Sequence, residues 1–203
     1  MTEVCLPDVL IRELEDIYQG LETEYDALAY QLSFSCMGCP DNCCDSYFLH
    51  HTYAEWAYLW LGFRQLNPEK QQEILRRAST AVLACEQALR RRERPQVMCP
   101  LNEEGLCTLY THRLLVCRTH GVPAAMTHPD GRRLTFPGCF RCQEIVGALG
   151  MEQGKIPVTE RTPYLRRLAV LENDLLQGER RRYPKVGLTI SQMLIKGPPV
   201  VLP

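Results

Sequence analysis

The strongest constraint on this chain is the run Cys36-Met-Gly-Cys39-Pro-Asp-Asn-Cys43-Cys44. Four thiols spaced Cys-x2-Cys-x3-Cys-Cys do not serve an apolar core, and their chemistry has two natural outlets, disulfides and metal. Neighbouring side chains of an extended segment point to opposite sides, and in a tight turn they also diverge. One ordinary tetrahedral shell therefore rarely takes both Cys43 and Cys44. Either the pair serves two metal centres or only one of the two is a ligand. Gly38 lets backbone approach a ligand closely, and Pro40 stiffens the chain directly after Cys39. Glycine-containing turns of this kind can aim N–H groups at thiolate sulfurs, which tunes such sites.

Compartment decides between the two outlets. The first residues lack the basic region and apolar run of a secretory signal. No apolar stretch approaches the ~20 residues needed to cross a bilayer. The expected location is therefore the cytoplasm, with no membrane partner, where thiols stay reduced. The total of 11 cysteines is also odd, which fits poorly with a closed disulfide framework. A net charge of −1 gives no global case for nucleic acid. The 203 residues, 45% of them apolar, are enough for one domain with a real core.

Apolar periodicity predicts a helix from about Pro7 to Leu32. Thr52 and Glu55 form a capping-box pattern that opens a second helix to about Leu66. Asn67-Pro68 reads as a stop and restart, with a third helix from Pro68 to about Arg92. Cys85 lies within it as a buried structural thiol, and Arg90, Arg91, Arg92 and Arg94 form its solvated end. A second cysteine region follows at Cys99, Cys107 and Cys117. Gly105 predicts a turn that folds Cys107 back towards Cys99, and Cys107 to Cys117 reads as one helix. Pro129-Asp130-Gly131, between short apolar stretches, predicts a β-hairpin. It leads to a third cluster, Cys139 and Cys142, and a helix from Gln143 to Leu149 stopped at Gly150. A helix from Thr162 to about Arg182, whose last arginines again read as a solvated end, and a short turn over Thr189 to Ile195 complete the reading. The expected fold is mainly α: a small single helical domain over 1–203 with irregular cysteine-rich loops and one short hairpin.

Setting aside Cys85 and Cys5, which lies near the N-terminus, nine of the 11 cysteines remain. The candidate metal ligands are Cys36, Cys39, Cys43, Cys44, Cys99, Cys107, Cys117, Cys139 and Cys142. Two tetrahedral zinc sites or two cubane iron–sulfur clusters each need eight thiolates. The count favours two centres, with Cys43 and Cys44 split between them and one of Cys139 and Cys142 spare. Thiolate-rich sites suit both an iron–sulfur cluster and zinc. A [4Fe–4S] cluster is the leading reading, because the thiols exceed what one zinc site uses and histidine clusters are few. Zinc is the alternative. The spacing differs from the ferredoxin run Cys-x2-Cys-x2-Cys-x3-Cys-Pro.

The same residues resemble a known family. Cys36-x2-Cys39-x3-Cys43-Cys44, then Cys99-Pro100-Leu101, Cys107-Thr108-Leu109-Tyr110, Arg113 and Cys117-Arg118 are similar to the signature of the bacterial cysteine-cluster family of zinc- or iron-chelating domain proteins. The match covers about residues 36 to 142. It departs from the family in x3 for x2 before the vicinal pair, Leu101 for Phe, and Leu114 for the Pro after the arginine. The resemblance implies metal or cluster chelation in the cytoplasm. Redox or electron transfer with a protein redox partner is the expected role, and a zinc-chelating binding module the alternative. A related flagellin lysine N-methylase carries the same cysteine signature, which opens an enzyme reading. No Gly-rich nucleotide loop accompanies it. His112 and His120 lie near Cys117, but with so many thiols at hand they read as supporting or surface residues. Arg113 and Arg118 could neutralise a thiolate cluster. No Ser/His/Asp array or carboxylate pair is recognisable by spacing.

Overall fold

The computed structural model describes residues 2–37, 43–150 and 156–201. It is mainly helical. The elements in order are β1 (Thr2–Glu3), α1 (Asp8–Gln31), α2 (Tyr53–Phe63), α3 (Pro68–Arg90), β2 (Asn102–Glu103), β3 (Leu106–Cys107), α4 (Leu115–Thr119), β4 (Ala124–Thr127), β5 (Arg133–Phe136), α5 (Phe140–Ala148), β6 (Thr159–Glu160), α6 (Thr162–Leu175), α7 (Ile190–Lys196) and β7 (Val200–Val201). Short 3-10 turns lie at Cys43–Asp45, Tyr110–His112 and Arg180–Arg182. Among the described residues no helix is long and apolar enough to cross a membrane.

The chain divides into two compact units. The first comprises residues 1–11, 44–116 and 172–203. Its centre is α2, buried on nearly every side through Tyr53, Trp56, Tyr58, Leu59 and Phe63, as a helix apolar all round must be. Thr52 caps it, accepting from Glu55 N–H at 3.2 Å and donating to Glu55 Oε2 at 2.9 Å. The carboxylate does not complete the expected box, because its Oε1 accepts from the Leu115 N–H at 2.9 Å. Asn67 caps α3 as its pattern predicts, accepting from Lys70 N–H at 2.8 Å. The arginines at the end of α3 are exposed, as expected, and Cys85 is half-buried rather than sealed in the core. α7 packs against α3. Its terminal carbonyls are satisfied by indoles of α2: Trp60 and Trp56 both donate to Met193 O, and Trp56 also to Gly197 O.

Two expected helices break where local chemistry competes. Cys107 to Cys117 is not one helix. Glu104 and Gly105 adopt positive φ, closing an antiparallel β2–β3 hairpin in which Asn102 faces Cys107. The Thr108 hydroxyl then takes Leu101 O at 2.6 Å, a side-chain bond of the kind that competes with helix. α6 ends at Leu175 rather than near Arg182, because Gln177 and Gly178 turn to positive φ. Arg180 is accordingly not a solvated helix end. Its Nε lies 3.7 Å from Glu172 Oε1, and its guanidinium lies 5.7 Å from the centre of the Tyr53 ring. The tail also has a role: β7 pairs with β1.

The second unit comprises residues 12–43 and 117–171. Leu28, Leu32 and Phe34 at the end of α1 pack with Val122, Cys142 and Val146. The predicted hairpin forms as β4–β5, and β6 joins β4 in parallel on its other side. Gly121 (φ +133) and Gly138 (φ +85) are where the chain closes: a Cβ on Gly138 would sit 2.5 Å from Gly121 O. Only glycine fits such an approach.

Candidate metal centre

Backbone pairing brings part of the first cysteine cluster to the second. In the first unit, segment 44–46 runs antiparallel to 96–99. Ser46 bridges Gln96, Val97 N–H donates to Asp45 O at 3.2 Å, and Cys99 N–H donates to Cys44 O at 2.9 Å. Asn102 N–H turns back on Cys99 O at 3.0 Å, and the β2–β3 pairing returns Cys107 beside Asn102. Cys44, Cys99 and Cys107 therefore share one neighbourhood, and all three are half-buried. The turn expected from Gly105 is what brings Cys107 home.

That hairpin is held from α3. Lys70 and Arg77 both bind the Glu103 carboxylate, at 2.5 and 2.9 Å, and Arg77 Nη1 donates to Asn102 O at 2.9 Å. These contacts tie the Cys107 strand to α3.

The second unit holds Cys36 of the first cluster and both cysteines of the third. Cys36 is exposed, with the Tyr25 hydroxyl 3.6 Å from its sulfur. Cys139 is the N-cap of α5, anchored by its N–H on Gly121 O at 2.9 Å. Cys142, one turn on, is fully buried. Burial pushes its thiol up to about 11, and the nearby charges of Cys139 and Cys36 add to the rise. The donor chemistry fits a thiophilic metal or cluster. Cys117 lies half-buried in α4 and is also assigned to this unit. Cys39 and the side chain of Cys43 lie outside the described residues. Among the described residues no three His, Cys, Asp or Glu side chains are placed as a ready metal shell.

The polar residues of the signature divide by environment. Arg118 is no surface arginine. Its side chain is 7% exposed, lies 4.4 Å over the Tyr18 ring and reaches Glu22 Oε2 at 3.5 Å. Tyr110 is exposed rather than core, and Arg113 stacks on it at 3.7 Å. The His112 ring lies against Gly62, where a Cβ would stand 2.4 Å from its Cγ, and tilts over Tyr58 at 4.7 Å. It is a packed ring whose Nδ1 hydrogen-bonds the Thr111 hydroxyl at 3.0 Å.

Two buried carboxylates escaped the sequence reading as a pair. Glu172 accepts the Tyr53 and Ala54 N–H groups, each at 2.9 Å, and Glu55 holds Leu115. The capping pattern signalled Glu55, but nothing local signals Glu172, whose partners lie 119 and 118 residues away. His50 is also buried, and its Nδ1 has no hydrogen-bond partner among the described residues.

Compared with family models, with curated proteins and with solved structures, the chain matches none.

Proposed function

We propose that this chain is a metal-binding protein that holds an iron–sulfur cluster through its clustered cysteines, at two centres, in a redox or electron-transfer role. The observation that carries the reading is the gathering of thiols from distant parts of the chain. Cys44 lies with Cys99 and Cys107 in one unit, and Cys36 belongs to the same unit as Cys139 and Cys142. The division between units falls between Cys43 and Cys44, which supports splitting the vicinal pair between centres. A thiolate set of this kind carries strong negative charge, which iron–sulfur clusters and zinc both neutralise. Backbone N–H groups and buried polarity around the sulfurs would set a cluster's potential.

Anaerobic purification followed by absorbance spectroscopy and elemental analysis tests the reading. A brown protein with a broad band near ~400 nm, bleached by dithionite, and with iron and sulfide in stoichiometric amounts is the expected result. A colourless protein with stoichiometric zinc and no iron overturns electron transfer and leaves a zinc-chelating module. Cys99→Ser should lower metal content, whereas Cys85→Ser should leave it intact.

A further inference from the structure

Cys139-Phe140-Arg141-Cys142 is a Cys-x2-Cys pair laid across the first turn of a nine-residue helix, and four features set it apart from the other thiols. The first is reach. Cys139 is the N-cap and Cys142 the third helical residue, so their Cα atoms stand roughly 5–6 Å apart by helix geometry, within the ~4.4–6.8 Å span a disulfide bridges. The second is a difference in access. Cys139 is half-buried and makes no side-chain capping bond, whereas Cys142 is 0% exposed. The third is rigidity: the Cys139 N–H is fixed on Gly121 O, beside the close Gly121–Gly138 contact. The fourth lies between the two thiols. Arg141 Nη1 is buried with no hydrogen-bond partner among the described residues, while Phe140, next to Cys139 in sequence, is 48% exposed.

The geometry points to a thiol–disulfide exchange activity in which Cys139 attacks and Cys142 resolves. This goes beyond the metal-binding reading and does not require it. The accessible sulfur is the one an incoming disulfide can reach, and the buried one can be met only from within the protein. The co-reactant is a low-molecular-weight disulfide. The Cys139 thiolate attacks one sulfur of that disulfide, breaks its S–S bond, and expels one thiolate. The protein then carries a mixed disulfide on Cys139. Cys142 loses its proton and attacks the Cys139 sulfur, expelling the second thiolate. The two departing thiolates take up the two protons the protein thiols gave. The protein dithiol is oxidised to a Cys139–Cys142 disulfide, and one small disulfide is reduced to two thiols. Phe140 supplies an exposed apolar contact next to the attacked bond.

The test uses the reduced full-length protein, as purified and after chelation, exposed anaerobically to glutathione disulfide. Samples are quenched with an alkylating reagent, mapped by peptide mass spectrometry and analysed for metal. The expected result is a Cys139–Cys142 disulfide forming first in the chelated sample. In Cys142→Ser it is replaced by a glutathione adduct that accumulates on Cys139. In Cys139→Ser the intramolecular bond is lost, and in Cys36→Ser it is retained. The proposal is overturned if Cys139 stays alkylatable while Cys5 or Cys36 takes up glutathione, or if the bond forms equally well in Cys139→Ser. Metal content separates the two readings. A protein that holds no metal but forms this disulfide refutes the metal centre alone, and a metal-loaded protein whose chelated form never forms it refutes the exchange activity alone.

Discussion

Glu172 shows how one side chain can hold an element it is not part of. Its carboxylate takes the first two buried N–H groups of α2, and burial pushes it up from the ordinary range against the pull of those donors and of Arg180. Glu172→Ala leaves both donors without a partner, at a cost of about 1–3 kcal/mol for each group. Urea unfolding should show the midpoint falling accordingly, while Glu86→Ala on the exposed face of α3 leaves it unchanged. Gly121 is the second such residue. Its φ is +133, and a Cβ there would stand 2.5 Å from the Tyr25 hydroxyl that lies beside Cys36. Gly121→Ala should destabilise by about 1–3 kcal/mol through strain and displaced packing. A second readout follows from the contact: alkylation of Cys36 should quicken once Tyr25 moves. An unaltered melting temperature would show that the approach is not tight.

Among the elements, the β2–β3 hairpin carries the most consequence for the metal centre, since it sets where Cys107 lies. Its ladder has only two residue pairs, too few to stand alone in water. The lock from α3 through Lys70, Arg77 and Glu103 does the rest. Glu103→Gln should speed hydrogen exchange at the Thr108 amide, which donates to Leu101 O, with exchange in the α2 core unaltered. These ion pairs are partly exposed, so raising salt should bring wild type towards the variant. Wild-type exchange that ignores salt would assign the hold to the Arg77–Asn102 bond instead.

For the whole molecule, pH is one lever on stability and, on the proposed function, metal is the other. Burial holds the His50 imidazole well below its ordinary value, Glu55 opposing and His51 adding to the fall. Below about 6.5, the value of a free histidine, the unfolded chain binds a proton that the folded chain refuses. Stability should therefore fall as pH drops from about 6.5. Glu172 acts with the opposite sign, since its raised value means that acidification relieves a buried charge. His50→Leu should flatten the upper part of this slope in urea unfolding measured between about pH 7 and 5; an unchanged slope would exclude His50 as its source. Removing metal should lower the melting temperature and open the cysteine loops to protease, because binding energy at such sites is also folding energy.

How much of this was legible in the chain depends on the range of the interaction that decides it. The sequence alone determined α1, the Asn67-Pro68 junction, the β4–β5 hairpin and the turn at Gly105, since periodicity, caps and turn residues act within a few positions. It also singled out the thiols. Only tertiary structure decided that Cys44 meets Cys99, through backbone pairing, and that Cys139 and Cys142 pack against the end of α1, through a core built from distant segments. The same holds for Glu172 under α2 and for the early end of α6, where a buried carboxylate needs the residue after the helix to turn back towards it. Local pattern names the groups that can bond; burial and long-range pairing choose their partners.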